Sequence, residues 1–166
     1  MDTNIASRTE LPHVKDVRDL FSDLLGRDVD VLVGDAWAPM PLDRATVAEF
    51  VDDQVQLRAV AMLDLPLAVY TGAAVGLLPA GGARDMVDER DPSSMVIENL
   101  YEVLNVLTSV FNVGSNPHVK IASMYTPGAQ FPGDIDQVVR RLTGRLDLTV
   151  SVDGYGSGRL ALIVVR

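Results

Sequence analysis

The sequence predicts an α+β domain in which long helices pack on one face of a mostly antiparallel sheet. Two segments, 14–25 and 93–112, carry apolar residues at helical spacing. Several runs rich in Val and Leu read as strands, and the last two flank the glycine-rich turn DGYGSG, which is typical of a hairpin. Two such helices together with hairpin-linked strands indicate the α+β class.

The elements follow an arm over residues 1–13 that we expect to be flexible. Residues 14–166 are predicted to form a single domain, because a chain of 166 residues suits one domain with a sizeable core. Gly26 ends the first helix, and Asp91-Pro92 suits the start of the helix from 93. The predicted helices are 14–25, 83–89, 93–112 and 134–142, and the predicted strands are 29–33, 56–63, 120–125, 146–152 and 159–166.

Two segments are ambiguous. Residues 46–50 fit no single pattern, and residues 67–78 suit either a strand or a helix of small residues. Periodicity does not decide between these structures for a short apolar run. For 67–78 we favour a strand, and we interpret the glycines of Gly72-Ala73-Ala74-Val75-Gly76 as sites of close backbone packing.

The composition excludes several classes of function. The net charge of −9 argues against nucleic acid or an anionic membrane as a partner, since both require clustered Lys and Arg. The chain has no cysteine, which excludes disulfides and thiolate chemistry. It shows no signal peptide and no apolar run of the roughly 18–20 residues that span a membrane. We therefore expect a cytoplasmic protein.

Other polar and aromatic residues have ordinary explanations. The acidic cluster Asp85, Asp88, Glu89 and Asp91 lacks the spacing of a calcium loop and is expected to be a solvated loop. The only two histidines, His13 and His118, are far apart, so we predict no metal site belonging to this chain. Trp37 is interpreted as the anchor of a loop.

The helix over 93–112 carries a strip of polar side chains without Lys or Arg. At 100° per residue, the apolar positions fill an arc of roughly 180°, and Asn99 is the one polar residue among them. The opposite side consists of Glu98, Glu102, Asn105, Thr108, Ser109 and Asn112. Solvated helix faces usually mix both charge signs, so this strip modestly favours a surface that contacts a partner.

Glu102 and Asn105 are one helical turn apart, which places their Cβ atoms within about 6 Å of each other. The carboxylate can pair with a cation, and the amide can orient a water molecule because it both donates and accepts hydrogen bonds. An amide has no useful pKa, so Asn105 is not a candidate general base. The residues alone leave three interpretations open: a solvated helix face, a docking face without catalysis, and a catalytic pair.

The run Glu102-Val103-Leu104-Asn105 resembles the E-x-x-N signature of the CheC/CheX/FliY phosphatases of bacterial chemotaxis. The order of segments over most of residues 14–166 resembles a single CheX-like domain. The resemblance implies that the helix docks on the phosphorylated receiver domain of a CheY-type response regulator. Asn105 would then position water for attack on the aspartyl phosphate, and Glu102 would pair with the regulator's lysine. Mg²⁺ would belong to the regulator, and the chain would need no cofactor of its own.

The same resemblance implies further contacts and an assembly. The partner-binding residues would be Glu98, Thr108, Ser109 and Asn112. CheX-type relatives form homodimers, and the Val/Leu-rich run 159–166 needs pairing or cover, so we expect a homodimer. Leu104 and Ser109 stand where the family often has a small residue and a glycine. The alternative function, of a different class, is a non-enzymatic binding module in a signalling or flagellar assembly that uses the same helix.

Overall fold

A six-stranded antiparallel sheet organises the computed structural model, which describes residues 8–165. The strands are β1 (Val29–Val33), β2 (Thr46–Val51), β3 (Leu57–Leu63), β4 (Lys120–Tyr125), β5 (Arg145–Val152) and β6 (Gly156–Val164). The helices are α1 (Val14–Leu25), α2 (Leu65–Val75), α3 (Ala80–Glu89), α4 (Ser94–Leu107) and α5 (Gly133–Val139). Of the helices in this range, none is long and apolar enough to cross a membrane.

The spatial order of the strands is β1-β5-β6-β3-β2-β4. The predicted α+β class is confirmed, and so is the terminal hairpin, in which Val152 pairs with Gly156 across a three-residue loop. The ambiguous segment 46–50 belongs to β2, between β3 and β4.

The prediction of a strand over 67–78 is wrong, because residues 65–75 form the helix α2. This helix lies between the sheet and α4, so most of its residues are buried and it lacks the polar face that reveals a helical period. Its start does carry a signal: Oδ1 of Asp64 accepts a hydrogen bond from the Leu67 amide at 3.0 Å, and Pro66 occupies the first turn. Burial raises the pKa of Asp64 in spite of this bond.

The sheet has a core on each face. On one face α1, α2 and α4 cover residues such as Phe50, Leu63 and Leu160, and α3 packs on α2. On the other face the short helix α5 and the loop with Trp37 cover a second cluster that includes Val60, Met62, Ala161 and Ile163. The long helices therefore share one face, as predicted.

The last strand does not need an outside partner. β6 lies in the interior of the sheet, paired with β5 on one side and β3 on the other. The argument for a homodimer from an unpaired run 159–166 is therefore wrong. Homodimerisation itself stays a prediction, and the strands at the two edges are β1 and β4.

The N-terminal segment packs against the domain earlier than predicted. Thr9 and Pro12 are buried, and the amide of Glu10 donates to Oδ1 of Asn116 at 3.2 Å. Residues 8–13 of the predicted flexible arm are therefore part of the domain. Residues 1–7 of that arm lie outside the described residues.

Candidate functional site

Helix α4 has a capped start and one fully buried side. The hydroxyl of Ser93, not Asp91, accepts the capping hydrogen bond, from the Val96 amide at 3.3 Å. The helix ends at Leu107, where a 3₁₀ turn over Thr108–Val110 replaces the predicted continuation to 112. The buried side consists of Val96, Leu100, Val103, Leu104 and Leu107.

A close approach to α2 fixes the position of α4. A Cβ added to Gly72 would lie 2.6 Å from the carbonyl oxygen of Val96, so the two backbones meet without a side chain between them. Asn99, the polar residue on the apolar arc, donates from Nδ2 to the Gly72 carbonyl at 3.0 Å. The interpretation of the glycine pair as a close-packing site is confirmed, and Asn99 is explained as part of that contact.

The polar strip of α4, defined here as Glu98, Glu102, Asn105 and Ser109, is exposed. Glu98, Glu102 and Asn105 project within an arc of about 60°, and Ser109 follows just beyond the helix end. Within residues 8–165, the four side chains form no hydrogen bond and no ion pair. The prediction that Glu102 and Asn105 are exposed on one side of the helix is confirmed.

Exposed apolar side chains flank this strip. Tyr101 lies on one side, and Met95 and Val106 lie on the other, with exposed fractions of 41%, 49% and 39%. Met95 and Val106 lie at the edge of the apolar arc, which the fold leaves exposed. Tyr and Met are enriched in protein interfaces, and the sequence reasoning missed these exposed apolar side chains.

A shallow groove continues the surface towards α1. It has a volume of about 570 Å³ and runs between the two helices, next to Val106 and Ser109. Leu20 and Leu24 contribute apolar surface, and the carboxylates of Asp16, Asp19 and Asp23 line it from α1.

Two residues predicted to contact a partner are used by the chain itself. Thr108 is buried, and its hydroxyl donates to the Leu104 carbonyl at 3.3 Å. Asn112 is half-buried; it donates to the Val119 carbonyl at 3.0 Å and accepts from the Val119 amide at 2.8 Å. A 3₁₀ turn advances by about 120° per residue instead of 100°, so the helical projection fails beyond Leu107. Neither side chain belongs to the exposed strip.

The strip can hold a cation and orient water. Glu102 and Asn105 are separated by about 4.5 Å of helical rise, a distance that two groups of one partner can match. The helix contains no Lys, Arg or His, so its polar groups are carboxylates, hydroxyls and amides. Such a surface suits positioning and charge pairing, and any proton transfer or metal chemistry would involve groups outside the helix.

The other residues considered in the sequence, the possible metal ligands and Trp37, do not form a further site. Within residues 8–165, no three His, Asp or Glu side chains lie close enough together to hold a metal ion. Trp37 is 7% exposed, and the Arg159 guanidinium lies 4.5 Å from the centre of its ring, which confirms the loop-anchor interpretation.

No protein-family model matches the sequence, and no curated protein matches it. Solved structures are similar in fold. The FliM middle domain from H. pylori superposes with a TM-score of 0.58 at 10% identity, covering 91% of this chain and 84% of that one. FliY from Thermotoga maritima superposes with a TM-score of 0.52 at 15% identity, covering 89% of this chain and 82% of that one.

A chain of the CheX–CheY–BeF₃–Mg²⁺ complex from Borrelia burgdorferi gives a TM-score of 0.51 at 8% identity, covering 89% of this chain and 92% of that chain. At such identities the similarity is one of fold. The chain has the CheC/CheX/FliY-like fold.

Proposed function

We propose that this protein promotes hydrolysis of the aspartyl phosphate on a CheY-type receiver domain. The observation that carries the proposal is the placement of Glu102 and Asn105. Both are exposed and one turn apart in the C-terminal half of a helix packed closely on α2, with Asn105 in its last turn. The E-x-x-N resemblance and a fold similar to that of CheX, which is found in complex with CheY, support the same function.

In the proposed reaction, α4 lies across the receiver's phosphorylation site. Glu102 pairs with the receiver's lysine and so sets the register of the complex. The Asn105 amide orients a water molecule in line with the phosphoryl group. The water oxygen bonds to phosphorus, and the bond from phosphorus to the aspartyl oxygen breaks. The products are inorganic phosphate and the receiver's free carboxylate.

The surroundings of the pair suit this docking. Tyr101, Met95 and Val106 provide apolar contact area on both sides of the strip. Mg²⁺ would be supplied by the receiver. A receiver domain as partner places the proposed activity in the cytoplasm.

A second function, binding without chemistry, is favoured by the similarity to FliM. FliM middle domains have the same fold, and one is found in complex with FliG. The proposed alternative is a protein-binding module of a signalling or flagellar assembly, with the same α4 surface as the docking site.

A phosphate-release time course on the receiver domain encoded nearest this gene, with Mg²⁺ present, distinguishes the two functions. We expect wild-type protein to accelerate dephosphorylation, and Asn105→Ala to abolish the acceleration while the protein stays folded and still binds. Glu102→Ala is expected to weaken binding as well, because it removes a charged contact. Gln137→Ala, which removes an exposed amide from α5, is the matched control and should behave as wild type.

Unchanged decay with an excess of wild-type protein that binds the receiver would favour the binding module. An acceleration that survives Asn105→Ala would contradict the role assigned to that amide.

A further inference from the structure

A second candidate site lies on the other face of the sheet, away from α4. It is a cavity of about 410 Å³, here called the arginine pocket, between the loop before β2, the loop after β4 and helix α5. Its lining includes Met40, Arg44, Gly128, Phe131, Asp136 and Arg140. No sequence pattern indicated it, because three separate segments contribute to it.

Arg44 is the unusual member of this pocket. It is half-buried, and its Nε is fully buried without a hydrogen-bond partner. Within residues 8–165, its guanidinium donates no hydrogen bond and forms no ion pair. Three other arginines of that range are not exposed, Arg27, Arg58 and Arg145, and each donates to a carbonyl or carboxylate oxygen, although Nε of Arg27 also lacks a partner. The terminal nitrogens of Arg44 also have no partner among the described residues, and because they are not fully buried a ligand can supply one.

The backbone around Arg44 is arranged for its side chain. A Cβ added to Gly128 would lie 3.0 Å from one terminal nitrogen of Arg44 and 3.2 Å from its Nε, so the guanidinium rests on bare backbone. Gly128 has φ +83°, a conformation that disfavours any side chain there. Arg44 itself has φ +46°, which is rare for a residue other than glycine.

The charges of the pocket suit a single negative charge. Asp136 accepts from Nε of Arg140 with both oxygens, each at 3.1 Å, and so neutralises that arginine. Arg44 remains as one net positive charge, and Asp136 would repel a dianion. Planar carboxylates match the fork of a guanidinium.

Apolar groups form much of the remaining wall. Pro39, Pro41, Ala45 and Phe131 line the cavity together with Met40. A volume of this size lies within the ordinary range for small-molecule sites. The ligand would therefore have an apolar body attached to its charged end.

We propose that the arginine pocket binds a small monocarboxylate with an apolar body, held by Arg44 through charge-assisted hydrogen bonds and by Phe131 through apolar contact. The site is independent of α4 and of the proposed phosphatase activity.

Titration of the full-length protein with phenylacetate, followed by amide NMR shifts, tests the proposal. We expect saturable shifts centred on 128–131 and 44–46, while the amides of 98–105 stay unchanged. Phenylacetamide has the same shape without the charge and should bind at least about tenfold more weakly. Inorganic phosphate, which lacks an apolar body, should also bind more weakly.

Arg44→Gln should weaken phenylacetate binding by at least about tenfold, whereas Arg141→Gln, a neighbouring exposed arginine outside the pocket, should leave it unchanged. The comparison of phenylacetate with phenylacetamide uses wild-type protein, so the test stands even if Arg44→Gln unfolds. Equal binding of the acid and the amide, or shifts elsewhere than around the pocket, would overturn the proposal.

Discussion

Two groups of polar side chains on opposite sides of the sheet differ in whether the chain itself provides their partners. On the face of the sheet with α5, Arg145 donates to both carboxylate oxygens of Asp147, at 2.7 and 2.8 Å, and to three backbone carbonyls, including that of Trp37. On α4, the strip around Glu102 and Asn105 is engaged by no other residue of the range 8–165. The polarity of a residue in the sequence does not distinguish these two cases. They differ in whether other residues of the chain supply hydrogen-bond partners for the side chain.

The largest effect is expected from Asp147→Ala. Both side chains of the Asp147–Arg145 pair are nearly buried, with 6% and 5% exposed, so the substitution leaves a buried guanidinium without its counter-charge. The free energy of unfolding should fall by about 3–5 kcal/mol, measured by urea denaturation. Asp136→Ala, which breaks an exposed Asp–Arg pair, is the control and should cost less than about 1 kcal/mol. Similar losses for both variants would mean that burial of the Asp147–Arg145 pair does not make its partners more important than those of an exposed pair.

A second substitution tests the packing of α4, which carries the strip, against α2. Gly72→Ala places a methyl group 2.6 Å from the Val96 carbonyl oxygen, and backbone cannot move aside as a flexible side chain can. We expect a loss of about 2–3 kcal/mol in unfolding free energy, because α2 and α4 must separate. The matched control is Gly81→Ala in α3, where nothing lies within 4 Å of the added group. That change should stabilise by up to about 1 kcal/mol. Equal effects would mean that the close approach does not fix α4.

The smallest effects compare two asparagines near one another in the chain. Asn112→Ala removes two hydrogen bonds that hold the entry to β4 and should cost about 1–2 kcal/mol. Asn105→Ala removes an exposed side chain without a described partner and should change the unfolding free energy by less than about 0.5 kcal/mol. Thermal unfolding of the two variants provides the measurement. A larger loss for Asn105→Ala would show that the chain uses this amide for stability.

The sequence was sufficient to predict an element where the hydrophobic period and a residue that ends the element agreed. Helix α1 has the predicted bounds because its buried residues recur at helical spacing and Gly26, at φ +63°, ends it. Glu102 and Asn105 could be placed because they lie inside the regular part of α4. Helix α2 is buried on nearly all sides, which removes the polar face that would have shown its helical period.

The site was less predictable than the fold. Thr108 and Asn112 were misplaced because a tighter turn follows Leu107, and no residue in that segment announces the change. The arginine pocket depends on Arg44, Gly128 and Arg140, which are distant in sequence and meet only after β2 and β4 pair. Contacts of this kind require the tertiary structure.

The close approach of α2 and α4 affects the conformational entropy that is lost when a partner protein binds to α4. A helix fixed by backbone contact at Gly72 and by the Asn99 hydrogen bond has little conformational freedom left to lose on association. Its side of a complex would be preformed, and only the rotamers of a few exposed side chains would have to be ordered. The conformational entropy of docking would then be lost mainly by the partner, so the flexibility of the partner would decide how tightly the two proteins associate.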